Sequence, residues 1–176
     1  MAFGRVSPLA LEVGCGHGAA AIGFAATHPE HDVVAVDVHT PGIARMLAAA
    51  AEVGVPNLRV ETGDAVVFLS DRIGIGALAS VHLFFPDPWP KKKHEKRRFF
   101  QTATLSLLAS RLAPNGHVLL ATDSTSYAAW VRRQVEEEGS FVAYDVTRPW
   151  WRPLDGFEPK ALAAGRPILD MRLDRA

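Results

Sequence analysis

The amino-acid sequence predicts a doubly wound α/β fold, with a mostly parallel seven-stranded sheet that finishes in a C-terminal antiparallel hairpin. Two observations predict it. Short apolar, β-branched runs alternate with alanine- and leucine-rich stretches from residue 8 to about residue 138, as in successive βαβ units. After residue 138, two more strand-like stretches flank a loop rich in Pro, Trp and Gly. We expect these two strands to be joined by no helix and to pair at the sheet edge.

Each element follows from its local pattern. The predicted strands are residues 9–13, 32–38, 58–61, 80–85, 117–121, 141–146 and 168–173. The predicted helices are residues 18–28, 42–53, 65–73, 95–112 and 124–138. A parallel sheet finished by a hairpin is the Rossmann-like architecture of class I methyltransferases, whereas dinucleotide dehydrogenases usually finish with a sixth parallel strand. The predicted C-terminal hairpin therefore favours methyl transfer over hydride transfer.

Composition limits the class of protein. The 176 residues, 48% of them hydrophobic and 22% charged, predict one globular domain over residues 1–176. No apolar stretch approaches the roughly 18 residues of a membrane span, so we expect no membrane partner and a cytoplasmic location. The single cysteine, Cys15, and seven scattered histidines predict neither a disulfide nor a metal site. We expect a monomer or weak homodimer.

Charge is balanced overall but not along the chain. There are 19 basic and 19 acidic residues, yet residues 91–98 hold six Lys or Arg and one Glu. This run has a net charge of +5, so the rest of the chain sums to −5. The sequence predicts one positive face, which suits a nucleic-acid partner.

A glycine-rich loop predicts the cofactor site. The run L-E-V-G-C-G-H-G, residues 11–18, closes the first strand and opens the first helix, and Gly14, Gly16 and Gly18 allow a sharp turn against a ligand. The competing interpretation is a loop for the pyrophosphate of NAD. Glu12 distinguishes the two, because a carboxylate repels pyrophosphate but suits the ammonium of S-adenosylmethionine. Cys15 is interpreted as a small spacer.

Two further acidic residues support a nucleotide. Asp37 ends the second strand, 25 residues after Glu12, where a carboxylate accepts from ribose hydroxyls in either cofactor class. Asp64 follows the third strand and is placed either to reach the adenine amine or to cap the next helix, and the two roles are compatible. Ala65, the next residue, is included in the predicted cofactor site.

The fourth predicted strand leads into the most specific motif, F-F-P-D-P-W-P-K-K-K-H-E-K-R-R, at residues 84–98. Prolines on both sides of Asp87 hold one carboxylate in a stiff loop beside Trp89. Separately, the two halves of the motif read as a rigid turn and a solvated helix start. Together at the carboxyl edge of the sheet, they suit a splayed-out base and its phosphates.

These motifs, with V-D-V-H-T-P-G, G-D-A and A-T-D, make the chain similar to the bacterial tRNA (guanine-N7)-methyltransferases from about residue 8 to its end. The resemblance implies that guanine at position 46 of the tRNA variable loop is the target. It implies cofactor contacts from Glu12, Asp37, Asp64 and Asp87, with Asp87 also the catalytic candidate. It implies substrate or RNA contacts from Lys91, Lys93, His94, Glu95, Lys96, Arg97, Arg98 and Asp123.

The sequence departs from the family pattern in three places. The family motif T-x-F-E appears as Asp155, Gly156, Phe157 and Glu158, so Asp155 stands where Thr is usual. Phe157 and Glu158 match, and a Glu158 carboxylate suits the N1–H and amine of guanine. Position 37 is Asp where a relative has Glu. Family members usually carry a segment before the first strand, so we expect either a truncated chain or an enzyme that works without it.

The chemistry follows from guanine N7, which carries a lone pair and no proton. Methyl transfer is then a direct displacement that depends on alignment and needs no general base. Asp87 is expected to stabilise the positive charge that develops on the base. The alternatives are another RNA or amine methyltransferase using S-adenosylmethionine, whose acid or amide is usually followed by Pro-Pro, and a non-catalytic RNA-binding module, whose cofactor loop would be broken.

Overall fold

The computed structural model describes residues 3–176. Met1 and Ala2, which begin the segment before the first predicted strand, lie outside the described residues. The strands are β1 (Leu9–Val13), β2 (Asp32–Asp37), β3 (Leu58–Thr62), β4 (Leu78–Phe84), β5 (Leu112–Thr122), β6 (Phe141–Asp145) and β7 (Leu169–Arg175). The α-helices are α1 (Ala19–Thr27), α2 (Thr40–Val53), α3 (Ala65–Arg72), α4 (Thr102–Arg111), α5 (Thr125–Glu138) and α6 (Glu158–Ala163), with a 3-10 helix at Lys92–Arg97.

The seven strands form one sheet in the order β3-β2-β1-β4-β5-β7-β6, which confirms the predicted fold class. The five strands from β3 to β5 are parallel, and β7 pairs antiparallel with both β5 and β6. Only β6 is therefore the edge strand of the predicted hairpin, because β7 is inserted beside β5. No helix within residues 3–176 has the length and apolarity to cross a membrane.

Side-chain alternation along the strands produces two cores. Leu11 and Val13 of β1 pack with α3, α4 and α5 on one face, in a cluster that includes Leu69, Leu105 and Val131. Ala10 points to the opposite face, where α1 and α2 cover the sheet. With a period of two, Glu12 shares this second face with Ala10. The first strand thereby carries its one acid toward α1 at the carboxyl edge of the sheet.

Two predictions about helices are wrong. The helix predicted over residues 95–112 is two elements, because Arg98 and Gln101 both adopt extended backbone conformations and separate the 3-10 helix from α4. The Gln101 amide donates to the carbonyls of Glu95 and Arg98, which satisfies the end of the 3-10 helix. The connection from β6 to β7 also contains a helix, α6, although the sequence there is rich in loop-forming residues.

Candidate cofactor and RNA site

A cavity of about 140 Å³ opens at the carboxyl edge of the sheet, beside the start of α1. Three parts of the chain line it: the glycine loop after β1, the end of β4 at Phe84 and Phe85, and the segment 152–158. The first two were expected from the doubly wound topology, which gathers the carboxyl ends of parallel strands. The third wall comes from the segment after β6.

The glycine loop is shaped by close packing as well as by its turn. Gly14, Gly16 and Gly18 all have positive φ, between 56° and 81°. A Cβ on Gly18 would lie 2.2 Å from Cγ of Met46, so only glycine fits there. Gly42 of α2, which the sequence analysis did not select, is equally constrained, because a Cβ would lie 2.6 Å from the carbonyl oxygen of Gly16. In the sequence, this residue is the final glycine of the V-D-V-H-T-P-G motif.

Glu12 is buried behind this loop with a 4% exposed side chain, and it lines the cavity. Its Oε2 has no hydrogen-bond partner among the described residues. Burial raises the pKa of Glu12 to about 8, Arg152 opposes that rise, and Asp37 adds to it. A buried carboxylate oxygen without a donor is a site for a cationic N–H group, which is what the ammonium of S-adenosylmethionine presents. The residues present therefore fit that cofactor.

The other two predicted cofactor acids hold backbone in place. Asp37 Oδ2 accepts from Gly16 N at 2.7 Å, and Oδ1 accepts from His39 N at 2.8 Å, so this carboxylate joins β2 to the glycine loop. Asp64 caps α3, because its Oδ1 accepts from the N–H groups of the second and third helical residues. Ala65 is the first residue of that helix. The helix-cap role predicted for Asp64 is present.

Asp87 lies exposed on a loop held between two unusual backbone conformations. Phe85 has φ 52° and Trp89 has φ 41°, both in the left-handed region that bulky residues rarely adopt. Such conformations are unfavourable by about 1–3 kcal/mol each and concentrate at functional sites. Phe85 also lines the cavity, so Asp87 stands two residues beyond its wall. The sequence indicated a stiff loop here but not the strained aromatic residues that flank it.

The basic segment separates into exposed cations and one buried arginine. Lys91, Lys93, Lys96 and Arg97 are exposed, and His94 and Glu95 are half-buried. The Arg97 guanidinium lies 4.9 Å from the centre of the Trp89 ring.

Arg98 differs from the expectation that it meets RNA. It is 6% exposed and donates from Nε to the Pro88 carbonyl at 3.0 Å and from Nη2 to the Trp89 carbonyl at 3.1 Å. It also lies 4.6 Å over the ring of Trp130. All this places Arg98 under the Asp87 loop rather than at the surface, where a phosphate would approach.

Comparison with known proteins identifies the family. A family model described as "Putative methyltransferase" matches residues 6–171. The tRNA (guanine-N(7)-)-methyltransferase of Thiobacillus denitrificans is 43% identical over 173 residues, covering 96% of this chain and 76% of the relative. The chain belongs to the tRNA (guanine-N7)-methyltransferase family. The family's enzyme from Halorhodospira halophila is 42% identical over 175 residues, covering 96% of this chain and 75% of its own.

Solved structures agree on the fold of this tRNA (guanine-N7)-methyltransferase family member. A SAM-dependent methyltransferase from Aquifex aeolicus superposes with a TM-score of 0.67 at 12% identity, covering 99% of this chain and 86% of the other. At that identity the likeness concerns the fold alone, which is the class I methyltransferase fold.

The family's T-x-F-E position forms the third wall of the cavity. Asp155, which replaces the usual Thr, pairs with His17 of the glycine loop at 3.1 Å and accepts from Gly156 N. Phe157 is 65% exposed and lines the cavity, as does Glu158. The Glu158 side chain is buried, and its Oε1 already accepts from Arg148 at 2.8 Å and Arg152 at 3.2 Å.

Asp123, beyond β5, is paired with Arg166 at 2.8 Å. Arg152 is the residue that the sequence analysis missed, although it opens the R-P-L-D-G-F-E run of this family member. It is 2% exposed and lines the cavity beside Glu12. Its only sequence signal was a cation inside an aromatic, proline-rich segment, which ordinarily indicates a surface loop.

Proposed function

We propose that this chain transfers the methyl group of S-adenosylmethionine to N7 of a guanine in tRNA. By analogy with the family, the target is position 46 of the variable loop, and the enzyme works in the cytoplasm as a monomer or weak homodimer. The observation that carries the proposal is the buried Glu12 oxygen without a donor. It lines a cavity that is also lined by Phe85, two residues before Asp87 in the chain. The names of the relatives support tRNA as the substrate.

The cofactor would be held by the acids of the first three strands. When bound, S-adenosylmethionine supplies an electrophilic methyl group on a sulfonium. Glu12 accepts from its ammonium and Asp37 from its ribose hydroxyls, since a carboxylate oxygen has more than one lone pair to offer. Asp64 uses its second oxygen for the adenine amine, with Ala65 beside it. The open backbone at Gly14 and Gly16 leaves space for close approach.

On the substrate side, the residues orient the base and stabilise charge. Guanine N7 becomes cationic as the methyl group arrives, and the exposed Asp87 carboxylate lowers the energy of that charge. Strained conformations such as those of Phe85 and Trp89 persist only where the surrounding structure fixes the backbone, so we expect little reorganisation of the loop when the base binds. Lys91, Asp123 and Phe157 are the proposed contacts to the guanine nucleotide, and Lys93, Lys96 and Arg97 are the proposed phosphate contacts.

A single substrate tests the target atom. A tRNA with 7-deazaguanine at position 46 keeps the base's amine and N1–H but has no N7 lone pair. We expect methyl transfer to unmodified tRNA and none to the 7-deaza tRNA, measured with a radiolabelled methyl group. Normal methylation of the 7-deaza tRNA would overturn the N7 assignment. Thermal unfolding with S-adenosylmethionine or NAD is the accompanying control, because stabilisation by NAD alone would overturn the cofactor.

A further inference from the structure

We propose that Arg152 is a positioning residue of the cofactor site, whose buried guanidinium favours ionisation of Glu12 when a cationic ligand binds. This inference rests on the proposed function, because it concerns the same Glu12. It assigns a role to a residue outside the glycine loop and outside the Asp87 loop.

The contacts of Arg152 fix its guanidinium in the wall of the cavity. Nη1 donates to Asp170 Oδ1 at 2.6 Å, and Nη2 donates to Asp170 Oδ2 at 3.2 Å and to Glu158 Oε1 at 3.2 Å. Its charged centre also lies 4.9 Å from the ring centre of Phe84 and 5.7 Å from that of Phe85. A bidentate contact of this two-pronged kind holds the arginine in one orientation, which a lysine cannot reproduce.

Negative charge exceeds positive charge around this guanidinium. Glu12, Glu158 and Asp170 are all buried, at 4%, 2% and 9% exposure. Arg152 is the only Lys or Arg among the described residues that line the cavity, and Arg148 reaches Glu158 from a more exposed position. The two guanidiniums pair with Glu158 and Asp170, and among the described residues neither forms an ion pair with Glu12. The missing positive charge is the one that the cofactor's ammonium would bring to Glu12.

The charged and titratable groups around Glu12 leave Arg152 as its main electrostatic support. The register partner of Glu12 on β4 is His82, whose imidazole is neutral because burial lowers its pKa to about 3. Cys15 is also neutral, since burial raises the pKa of its thiol to about 12. Asp37, from β2, acts in the unfavourable direction on Glu12. Glu158, from the segment after β6, is engaged by its own two arginines.

The test measures the affinity for S-adenosylhomocysteine by calorimetry between pH 6 and 9.5. This ligand keeps the amino-acid ammonium and lacks the labile sulfonium. Below the pKa of Glu12, affinity should fall about tenfold per pH unit, because the carboxyl must lose its proton to bind. In Arg152→Met, this decline should begin at least one pH unit higher. Relative to the wild type, the variant should therefore lose at least about tenfold more affinity at pH 7 than at pH 9.5.

Three variants separate this role from a structural one. Glu12→Gln has no acid to titrate, so its profile gives the contribution of the ligand's own amine. Arg148→Gln removes the other cation at Glu158 and should leave the wild-type pH midpoint unchanged. Arg152→Lys restores the charge without the two-pronged contact and should recover at least half of the midpoint shift. A lysine variant shifted as far as Arg152→Met would overturn the charge argument.

If Arg152→Met does not fold, the double variant Arg152→Met/Asp170→Asn replaces it, because it leaves no unpaired charge at Asp170. A loss of affinity by the same factor at every pH would make Arg152 merely structural and overturn the inference, while the proposed function stands. Failure of the wild-type protein to bind the ligand at all would instead overturn the proposed function.

Discussion

Glu12 and His82 occupy adjacent register positions on β1 and β4, in the centre of the sheet. Burial acts on them in opposite directions, raising the pKa of the carboxyl to about 8 and lowering that of the imidazole to about 3. Both are therefore mainly neutral at pH 7 without a ligand. Burying a neutral acid in a cavity costs the folded state less free energy than burying a charged one, yet the same group becomes a strong acceptor when a cation displaces its proton.

The pH dependence of stability should show this acid. Between its ordinary pKa of 4.5 and about 8, the folded protein holds a proton on Glu12 that the unfolded chain has lost. Stability therefore declines as pH rises through that window, by up to about 1.4 kcal/mol per pH unit. Glu12→Gln should lack this decline. Its free energy of unfolding, measured with urea, should therefore rise relative to that of the wild type from pH 5 to pH 8. Parallel curves for the two proteins would contradict it.

Asp87 should act through its charge. Asp87→Asn keeps the size of the side chain, so cofactor binding should weaken modestly while turnover falls about 10²–10³-fold, as when a preoriented electrostatic group is lost. Turnover is measured at saturating tRNA and S-adenosylmethionine. A defect confined to KM would show that Asp87 contributes only uniform binding.

At the scale of elements, the 3-10 helix and the Asp87 loop form one unit through Arg98. The guanidinium satisfies the carbonyls of Pro88 and Trp89, on either side of the strained Trp89 conformation, and it packs on Trp130 of α5. The loop that carries Asp87 is thus fastened to the body of the protein by a residue of the basic run.

Arg98→Met should accordingly behave as a structural variant. It leaves two carbonyls without their donor, and we expect a loss of about 2–4 kcal/mol in the free energy of unfolding. Lys96→Met, two residues earlier and exposed, is the matched control and should change stability by less than about 0.5 kcal/mol. Urea denaturation measures both. Equal stability of the two variants would remove Arg98 from its place under the loop.

The sequence anticipated the parallel half of this fold better than the segments around it. Periodic apolar runs predicted β1 to β5, and the acids near the carboxyl ends of those strands, Glu12, Asp37 and Asp87, stay predictions as ligand contacts. The break between the 3-10 helix and α4 was not visible, because it depends on where Arg98 and Gln101 direct their side chains. The proposed role of Arg152 was not visible in the sequence for the same reason, since its partners Glu158 and Asp170 come from elements whose pairing is decided by tertiary contacts.

At the scale of the whole molecule, the net charge of zero conceals a strongly positive edge beside the site. Lys91, Lys93, Lys96 and Arg97 are exposed on and beside the 3-10 helix, next to the strained Asp87 loop. We expect a polyanion bound at this edge to have its bases near the cavity, so that phosphate binding helps to place the guanine.

Salt should reveal this edge. Binding of tRNA should weaken steeply with salt, and the triple variant Lys93→Gln/Lys96→Gln/Arg97→Gln should lower the slope of log K against log salt by about 2–3, near 0.7–0.9 per lost phosphate contact. The double variant Arg45→Gln/Arg72→Gln removes exposed cations from α2 and α3 and should leave the slope unchanged. A wild-type slope in the triple variant would place the RNA elsewhere.

The insertion of β7 between β5 and β6 also sets an order of assembly. Within residues 3–176, β7 is the only strand that pairs with β6, so β6 has no ladder until residues 169–175 have entered the sheet. Until then Arg152 lacks Asp170, the partner of its bidentate contact. We therefore expect the Arg152 wall of the cavity to be completed after the glycine loop and the Asp87 loop, once β7 has entered the sheet.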